Sequence, residues 1–339
     1  MTRSARISYV IMAVLLVLIG WLQLGTLLLT VLFGYFALRH FSFGWSKTLG
    51  VALYLVAVVL IGFGLVSFSR RAYVEIPEIA ERTIPVIVEY AKAKGIQPPF
   101  TDYASLKTVT LAEIQDKFAN VGRYARAAGF RFALLIIGLV VAVSLFLSAA
   151  WGTEDDPQSA RDSLYATVVR EVALRFRTFY QSFAKVMGAQ IIISLIDTVL
   201  TAIFLVWNNF PYVVVIIVLT FLVGLLPIIG NLISNTLIVG VAFTISPQMA
   251  FFALLFLIGI HKLEYFLNSK IIGDRIRTPM WLTLIGLVVG EKLMGIPGMI
   301  IAPAVLHYIK VEASRSTLTE SAADTSSHTP GSPPPTATS

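Results

Sequence analysis

The sequence predicts an all-α protein that crosses a membrane about eight times. Of its 339 residues, 57% are hydrophobic and only 13% are charged, whereas about 25% of the residues of an ordinary soluble domain are charged. Residues 186–260 contain a single formally charged side chain, Asp197. Because a helix needs about 20 apolar residues to cross a bilayer, this stretch alone is long enough to cross more than once.

The composition also argues against several classes of function. The net charge of +7 comes from basic residues beside apolar stretches, as the positive-inside rule produces, so we expect no nucleic-acid partner. The chain has no cysteine, and its 4 histidines, at positions 40, 261, 307 and 328, lack the spacing of metal ligands. No phosphate-binding glycine loop is present. We therefore expect no metal, no cofactor and no built-in ATPase motor.

The first half of the chain is predicted to contain four spans and a polar insertion. The apolar run 7–38 is too long for one span, and Gly20–Gly25 in its middle indicates a turn between two short helices. Further spans are predicted at 49–68 and 132–150. The region 70–130 has apolar residues at helical spacing, so we expect amphipathic helices that lie on the membrane or pack on partner chains.

The second half is predicted to contain four apolar segments, of which two are broken. An interfacial helix within 151–185 leads into a span at 186–206, and 251–267 is a further unbroken span. The segments 212–245 and 281–306 are interrupted by proline and glycine, at Pro227 and at Gly295–Gly298.

One permease domain is expected over 1–312, and it includes the amphipathic insertion and the interfacial helix. Residues 313–339 are rich in Ser, Thr and Pro, which predicts a disordered tail. The loops 207–211 and 246–248 carry no Lys or Arg, so the positive-inside rule places them outside. This assignment puts both termini inside and region 70–130 outside, despite its basic residues.

A polar path is predicted at the two breaks. Broken backbone inside a membrane must be surrounded by protein or line a water-filled cavity, and in transporters it often forms the binding site. Asp197 lies near the middle of its span, where an ionised carboxylate is costly. The candidate path residues are Gln190, Asp197, Pro227, Gly230, Asn231, Glu264, Asn268, Gly295, Pro297 and Gly298.

Structural alternatives exist for these residues. Asp197 is either a proton- or cation-coupling group or a hydrogen-bond partner of a neighbouring helix, through Asn231 or Lys292. The break at Pro227 is alternatively a kink that lets helices pack. Glu264, which shares a helical face with the residue four positions later, also fits a position at the membrane border.

Five short motifs follow one another in the second half. They are Gly188-Ala-Gln190, Leu226-Pro227-Ile-Ile-Gly230, Leu263-Glu264-Tyr-Phe-Leu-Asn268-Ser-Lys270-Ile-Ile-Gly273, Thr278-Pro279 and Gly295-Ile-Pro297-Gly298-Met-Ile-Ile-Ala302-Pro303. In this order and spacing they resemble the autoinducer-2 exporter-like family of bacterial membrane permeases. The family usually has Pro-Tyr-x-Gly-Pro at the first break, where this chain has Ile228 and Asn231 in place of Tyr and the second Pro.

The resemblance implies a multi-pass permease of the bacterial plasma (inner) membrane. Its substrate would be a small polar solute such as an autoinducer-2-like signal, moved by alternating access and without covalent chemistry. The resemblance also implies a homo-oligomer in the lipid bilayer, with a pentamer consistent with the family. A sodium/proton antiporter is the first alternative and a non-transporting structural membrane protein is the second. An enzyme is not expected, because no His-Glu-x-x-His pattern is present.

Overall fold

The computed structural model describes residues 3–42, 46–95, 121–148, 164–226, 229–272 and 279–327. Within these ranges it contains ten α-helices and no strand: α1 (Arg3–Trp21), α2 (Gly25–Phe41), α3 (Lys47–Ala93), α4 (Val121–Leu147), α5 (Leu164–Trp207), α6 (Val213–Gly224), α7 (Ile229–Ile245), α8 (Pro247–Ile272), α9 (Met280–Met294) and α10 (Ile296–Ser327). Of these described helices, 6 are long and apolar enough to cross a membrane, and α2, α6 and α7 are shorter apolar helices. The predicted polytopic all-α fold is confirmed.

The turn predicted in the middle of the first apolar run separates α1 from α2. Gln23 adopts a left-handed backbone conformation there, with a φ of 54°. The amide of Leu24 donates to the carbonyl of Ile19 at 2.9 Å, so the chain reverses within three residues. This compact reversal explains how one uncharged run supplies two short helices.

Helix α3 differs from its predicted form, which was a span followed by a separate amphipathic helix. It is one helix of 47 residues that continues through Pro77 and Pro85, and at 1.5 Å per residue it is about 70 Å long. That is more than twice the hydrocarbon thickness of a bilayer, about 30 Å. Ile79 and Val88 are buried in its C-terminal part, and Ile79 packs in a hydrophobic cluster with residues of α5, α7 and α8. The rest of the insertion, up to residue 120, lies outside the described residues.

Helix α5 is also a single helix, where the sequence predicted an interfacial helix followed by a span. It has 44 residues, and no proline interrupts it. Its N-terminal half packs on α1, α2 and α10 in one hydrophobic cluster that includes Phe179 and Phe183. Its C-terminal end packs on α6, α7, α8 and α3 in a second cluster that includes Leu205. Helix α5 therefore connects two of the three hydrophobic clusters of the described residues, and the third lies around Tyr54 between α2, α3 and α4.

A buried group of charged side chains holds α1, α5 and α10 together. Arg175 on α5 lies 3.0 Å from Glu312 on α10 and 3.3 Å from Glu171 on its own helix. The Tyr9 hydroxyl on α1 donates to Glu312 at 2.8 Å, and the Arg175 guanidinium lies over the Tyr9 ring, 4.1 Å from its centroid. Removing one member of such a buried pair typically costs about 3–5 kcal/mol, so this contact fixes α10 against α5.

The second break and the C-terminal region also differ in detail from expectation. Helix α9 ends at Met294, and Gly295 reverses the chain with a φ of 66°. Helix α10 then continues to Ser327, through the first part of the segment expected to be a disordered tail. After Pro303, which lies inside α10, no proline occurs before Pro330, so no missing amide interrupts this part of the helix. Residues 328–339 lie outside the described part of the chain.

The C-terminal part of α3 lies beside the uncharged loops. The ring of Tyr90 lies at a tilt beside that of Phe243 on α7, with the ring centroids 5.5 Å apart. Ile79 shares a hydrophobic cluster with Phe210, which lies in the loop after α5. Helix α3 therefore reaches the same face of the molecule as loops 207–211 and 246–248. The sequence places region 70–130 and these two loops outside the membrane, which requires them to lie at one face of the molecule.

These contacts generate a labelling prediction. Cysteines introduced at Glu89 and Asn209, both exposed, should react from the same side of the membrane, which the positive-inside rule makes the outside. A cysteine at Lys47, at the other end of α3, should react only from the inside. Impermeant maleimide applied to spheroplasts and to inverted vesicles measures this, and the native chain contributes no background cysteine.

Two outcomes would contradict the arrangement. Labelling of the Glu89 and Asn209 positions from opposite sides would refute the packing of α3 on α7. Labelling of all three positions from reversed sides would show that the orientation is inverted.

Candidate functional site

The first break lies between α6 and α7 and is attached to α5 by two side chains. The Gln190 side-chain amide donates to the carbonyl of Gly224 at 2.6 Å. The Ser194 hydroxyl donates to the carbonyl of Phe221 at 3.0 Å. The last carbonyls of a helix have no partner within the helix, so α5 supplies the partners that α6 lacks.

Gly230 lets the two arms of this hairpin approach each other. A Cβ atom at Gly230 would overlap the carbonyl oxygen of Val223 in the opposite arm. The amide of Gly230 is hydrogen-bonded to the carbonyl of Leu226 at 3.1 Å. Gly230 thus closes the hairpin and does not expose a free amide. Pro227 lies outside the described residues.

A small polar cavity lies next to this hairpin, among α5, α6, α7 and α8. Its volume is about 20 Å³, and one water molecule needs about 10–15 Å³. The cavity therefore admits about one water molecule or an ion of similar size. Its polar lining side chains are Ser194, Asp197, Thr201, Thr220, Asn231, Ser234, Asn235, His261 and Glu264.

Glu264 on α8 receives the main contacts across this cavity. The Asn231 side-chain amide on α7 donates to Glu264 Oε2 at 2.5 Å, and His261 Nδ1 lies 3.5 Å from the same oxygen. The Glu264 side chain is only 14% exposed. Asn231 and Glu264 therefore join α7 to α8 through one charge-assisted hydrogen bond.

Asp197 on α5 is the less satisfied carboxylate. The residue is 9% exposed, and its Oδ1 atom has no hydrogen-bond partner among the described residues. Asp197 and Glu264 are close enough to repel each other electrostatically. A buried carboxylate without a partner is strongly unfavourable, so a proton, a cation or the polar group of a solute would stabilise this site.

The structure brings together only some of the predicted path residues. Asp197, Asn231 and Glu264 line the cavity, and Gln190 supports its rim at Gly224. Asn231 is bonded to Glu264 and not to Asp197. Asn268 lies in α8, but its side chain is outside the described residues.

The residues of the second break lie elsewhere. Gly295, Pro297 and Gly298 do not line the polar cavity. The adjacent end of α9 meets the turn of the first hairpin, with Met294 against Gly25. Lys292, considered as a partner for Asp197, is 79% exposed and lies 3.8 Å from Glu291. The two breaks, expected to form one path, are therefore at separate places.

Several cavity residues were not predicted. Ser194 lies four residues after Gln190 and three before Asp197, so it shares their helical face. Asn235 is related in the same way to Asn231, and His261 to Glu264. This spacing could have identified them, whereas nothing in the sequence distinguishes Thr220 from other apolar-segment threonines.

Comparison with known proteins identifies the family of this chain. A model of the family described as AI-2E family transporter matches residues 6–315. The chain belongs to the AI-2E family of transporters. The resemblance seen in the second half is thus confirmed and extends over the first half as well. The chain is a multi-pass membrane protein of this family.

The chain is also similar to the Bacillus subtilis (strain 168) protein named "Putative transport protein YdbI". The two sequences are 26% identical over 270 residues, which is 76% of this chain and 73% of the relative. The shared length includes most of both proteins, so the likeness extends well beyond one motif.

The hairpin geometry predicts a folding defect for Gly230→Ala. The added methyl group must displace backbone, and overpacking of this kind typically costs at least about 1–3 kcal/mol. We expect a lower melting temperature of the detergent-purified protein and a lower yield of folded protein.

Gly64→Ala is the matched control, because nothing lies within 4 Å of a Cβ atom built there. It should melt like the wild type. A Gly230→Ala protein that melts like the wild type but does not transport would show that Gly230 acts in the path and not in closure of the hairpin.

Proposed function

We propose that this protein is a permease of the bacterial plasma membrane that exports a small polar solute, such as an autoinducer-2-like signal. The observation that carries the proposal is the polar cavity at the α6–α7 break, where Asn231, Glu264 and Asp197 converge within an otherwise apolar bundle. Membership of a transporter family supports the same conclusion. In transporters, broken helices form substrate sites because they provide polar groups at membrane depth.

The size of the cavity requires a conformational change during transport. A space for about one water molecule is too small for an organic solute, so the cavity must enlarge before such a solute can bind. The hydrogen bonds that close it are Gln190 to Gly224, Ser194 to Phe221 and Asn231 to Glu264. Movement of the α6–α7 hairpin away from α5 and α8 would break these bonds and open the cavity to one side.

Cation/proton antiport is the second candidate function, and the pair of acidic side chains favours it. Carboxylate, amide and hydroxyl oxygens are the ligands that hard cations prefer, and Asp197, Glu264 and Thr220 supply such oxygens to one small cavity. In this alternative the cavity holds its transported ion without enlarging.

The proposal also covers the oligomeric state and the chemistry of transport. We propose that the protein works as a homo-oligomer, as the family resemblance implies, and that transport involves no covalent chemistry. A structural protein without transport activity would need no polar cavity, since buried polar side chains in a bilayer are costly.

Comparison of metabolites inside and outside cells tests the proposal. Cells that express the wild type should contain less of at least one small polar solute, and their medium more of it, than cells without the gene. Asn231→Ala should abolish this difference, because it removes the donor to Glu264. Glu291→Gln is the control, since Glu291 is 48% exposed and lies outside the cavity.

The outcomes separate the functions. A solute difference that survives Asn231→Ala would remove the cavity from the path. Absence of any solute difference, together with sodium- or proton-dependent flux in vesicles, would favour the antiporter. Absence of both would support the structural protein.

Asp197 generates a prediction for pH dependence. A membrane-embedded carboxylate that exchanges protons during transport should make flux change severalfold across the physiological pH range. Asp197→Asn cannot titrate, so its flux should vary less than about twofold over the same range while some downhill movement remains.

Flux measured in reconstituted vesicles at several pH values checks this, with Glu291→Gln again as the control. Identical pH profiles for Asp197→Asn and the wild type would place the coupling at another group. Asp197 would then act only in helix packing.

A further inference from the structure

A second cavity, apolar and larger, lies between two helical hairpins. The hairpin α1–α2 forms one wall and the hairpin α9–α10 the other, and the groove between them has a volume of about 350 Å³. Its lining is apolar, as in Leu16 and Leu28 on the first hairpin and Val289, Leu293 and Leu306 on the second. It shares no lining residue with the polar cavity.

The floor of this groove is made by glycines. A Cβ atom at Gly298 would overlap the carbonyl of Gly290, and a Cβ atom at Gly286 would lie 2.9 Å from Leu306. Helices α9 and α10 therefore approach closely at the floor, and no side chain rises from these three positions to fill the groove. Val289 and Leu293 at its edge are 49% and 47% exposed, so the groove opens onto the apolar surface of the molecule.

Water does not fit the chemistry of this groove. A volume of 350 Å³ corresponds to more than about 20 water molecules at the 10–15 Å³ that one water needs, and each buried water needs two to four polar partners. The lining side chains provide none. The C-terminal residues 328–339 are rich in Pro, Ser and Thr, so they are also a poor match for an apolar surface.

An alkyl chain is of the right size for this groove. A cavity of about 150 Å³ holds the six carbons of benzene, and by proportion 350 Å³ holds about 14 carbons.

We propose that this groove binds one acyl chain of a membrane phospholipid. The chain enters from the surrounding hydrocarbon through the edge formed by Val289 and Leu293. It supplies the dispersion contacts that the glycine floor leaves unmade. The acyl chain fills the space that remains between α1–α2 and α9–α10 beside their direct contact at Gly25 and Met294.

The test measures bound lipid by native mass spectrometry of the detergent-purified, delipidated protein during titration with phosphatidylglycerol or phosphatidylethanolamine. We expect saturation at one lipid per protomer, with similar affinity for both headgroups because the chain is what is recognised. Val289→Trp fills the groove and should lower lipid binding at least about tenfold, the magnitude expected when a snug apolar site is blocked. Val288→Trp is the matched control, because Val288 is 61% exposed and does not line the groove.

The outcomes that overturn the proposal are specific. Absence of saturable lipid binding to the wild type would refute it without any substitution. Unchanged binding by Val289→Trp would place the lipid elsewhere, and Leu16→Trp on the opposite wall replaces it if the first variant does not fold. A fall in oligomer mass with Val289→Trp, without loss of lipid, would show that a second copy of this chain covers the groove.

Discussion

The continuity of α5 is the constraint on which the rest of the structure depends. Its N-terminal half contributes Phe179 and Phe183 to one hydrophobic cluster, and Leu205 near its end belongs to the other. Gln190, Ser194 and Asp197 lie between these anchors. Because the helix is unbroken, the positions of both cores determine where the three polar side chains point. The polar cavity is therefore located by packing on both sides of it.

The broken hairpin α6–α7 depends on that fixed line of side chains. Its backbone ends are satisfied by Gln190 and Ser194, and its arms can close only because residue 230 is glycine. Asn231 then lies where it meets Glu264 of α8. Four helices, α5 to α8, thus meet through these polar contacts, and this explains why the most polar point of an apolar region is also the point where its backbone is interrupted.

The sequence predicted the number and nature of the apolar segments because hydrophobic length is a direct signal of membrane helices. It also predicted Asp197, Asn231 and Glu264, since polar side chains at these places are conspicuous in apolar sequence. It failed at the junctions of α3 and α5, where a change of polarity suggested separate helices. Polarity reports the surroundings of a helix and not its end, and α3 continues even through Pro77 and Pro85.

The separation of the two breaks could not be predicted either. Proline and glycine motifs at 227–230 and 295–298 look equivalent in sequence, but their roles depend on the neighbouring helices. The α6–α7 hairpin meets the polar face of α5, whereas the α9–α10 hairpin meets the apolar turn at Gly25 between α1 and α2. Local sequence contains no information about which surface a hairpin will face, so the polar cavity and the apolar groove were indistinguishable before the structure was known.

The length of α3 has a mechanical consequence. One continuous helix runs from Lys47 to Tyr90, whose ring lies 5.5 Å from that of Phe243 on α7. A span adapts to a thicker or thinner bilayer mainly by tilting, at a cost of fractions of a kcal/mol per Å of mismatch. Because α3 is longer than a bilayer is thick, a tilt of its membrane part displaces its distal end most. That end contacts α7, so a change of bilayer thickness is transmitted to the helix that carries Asn231.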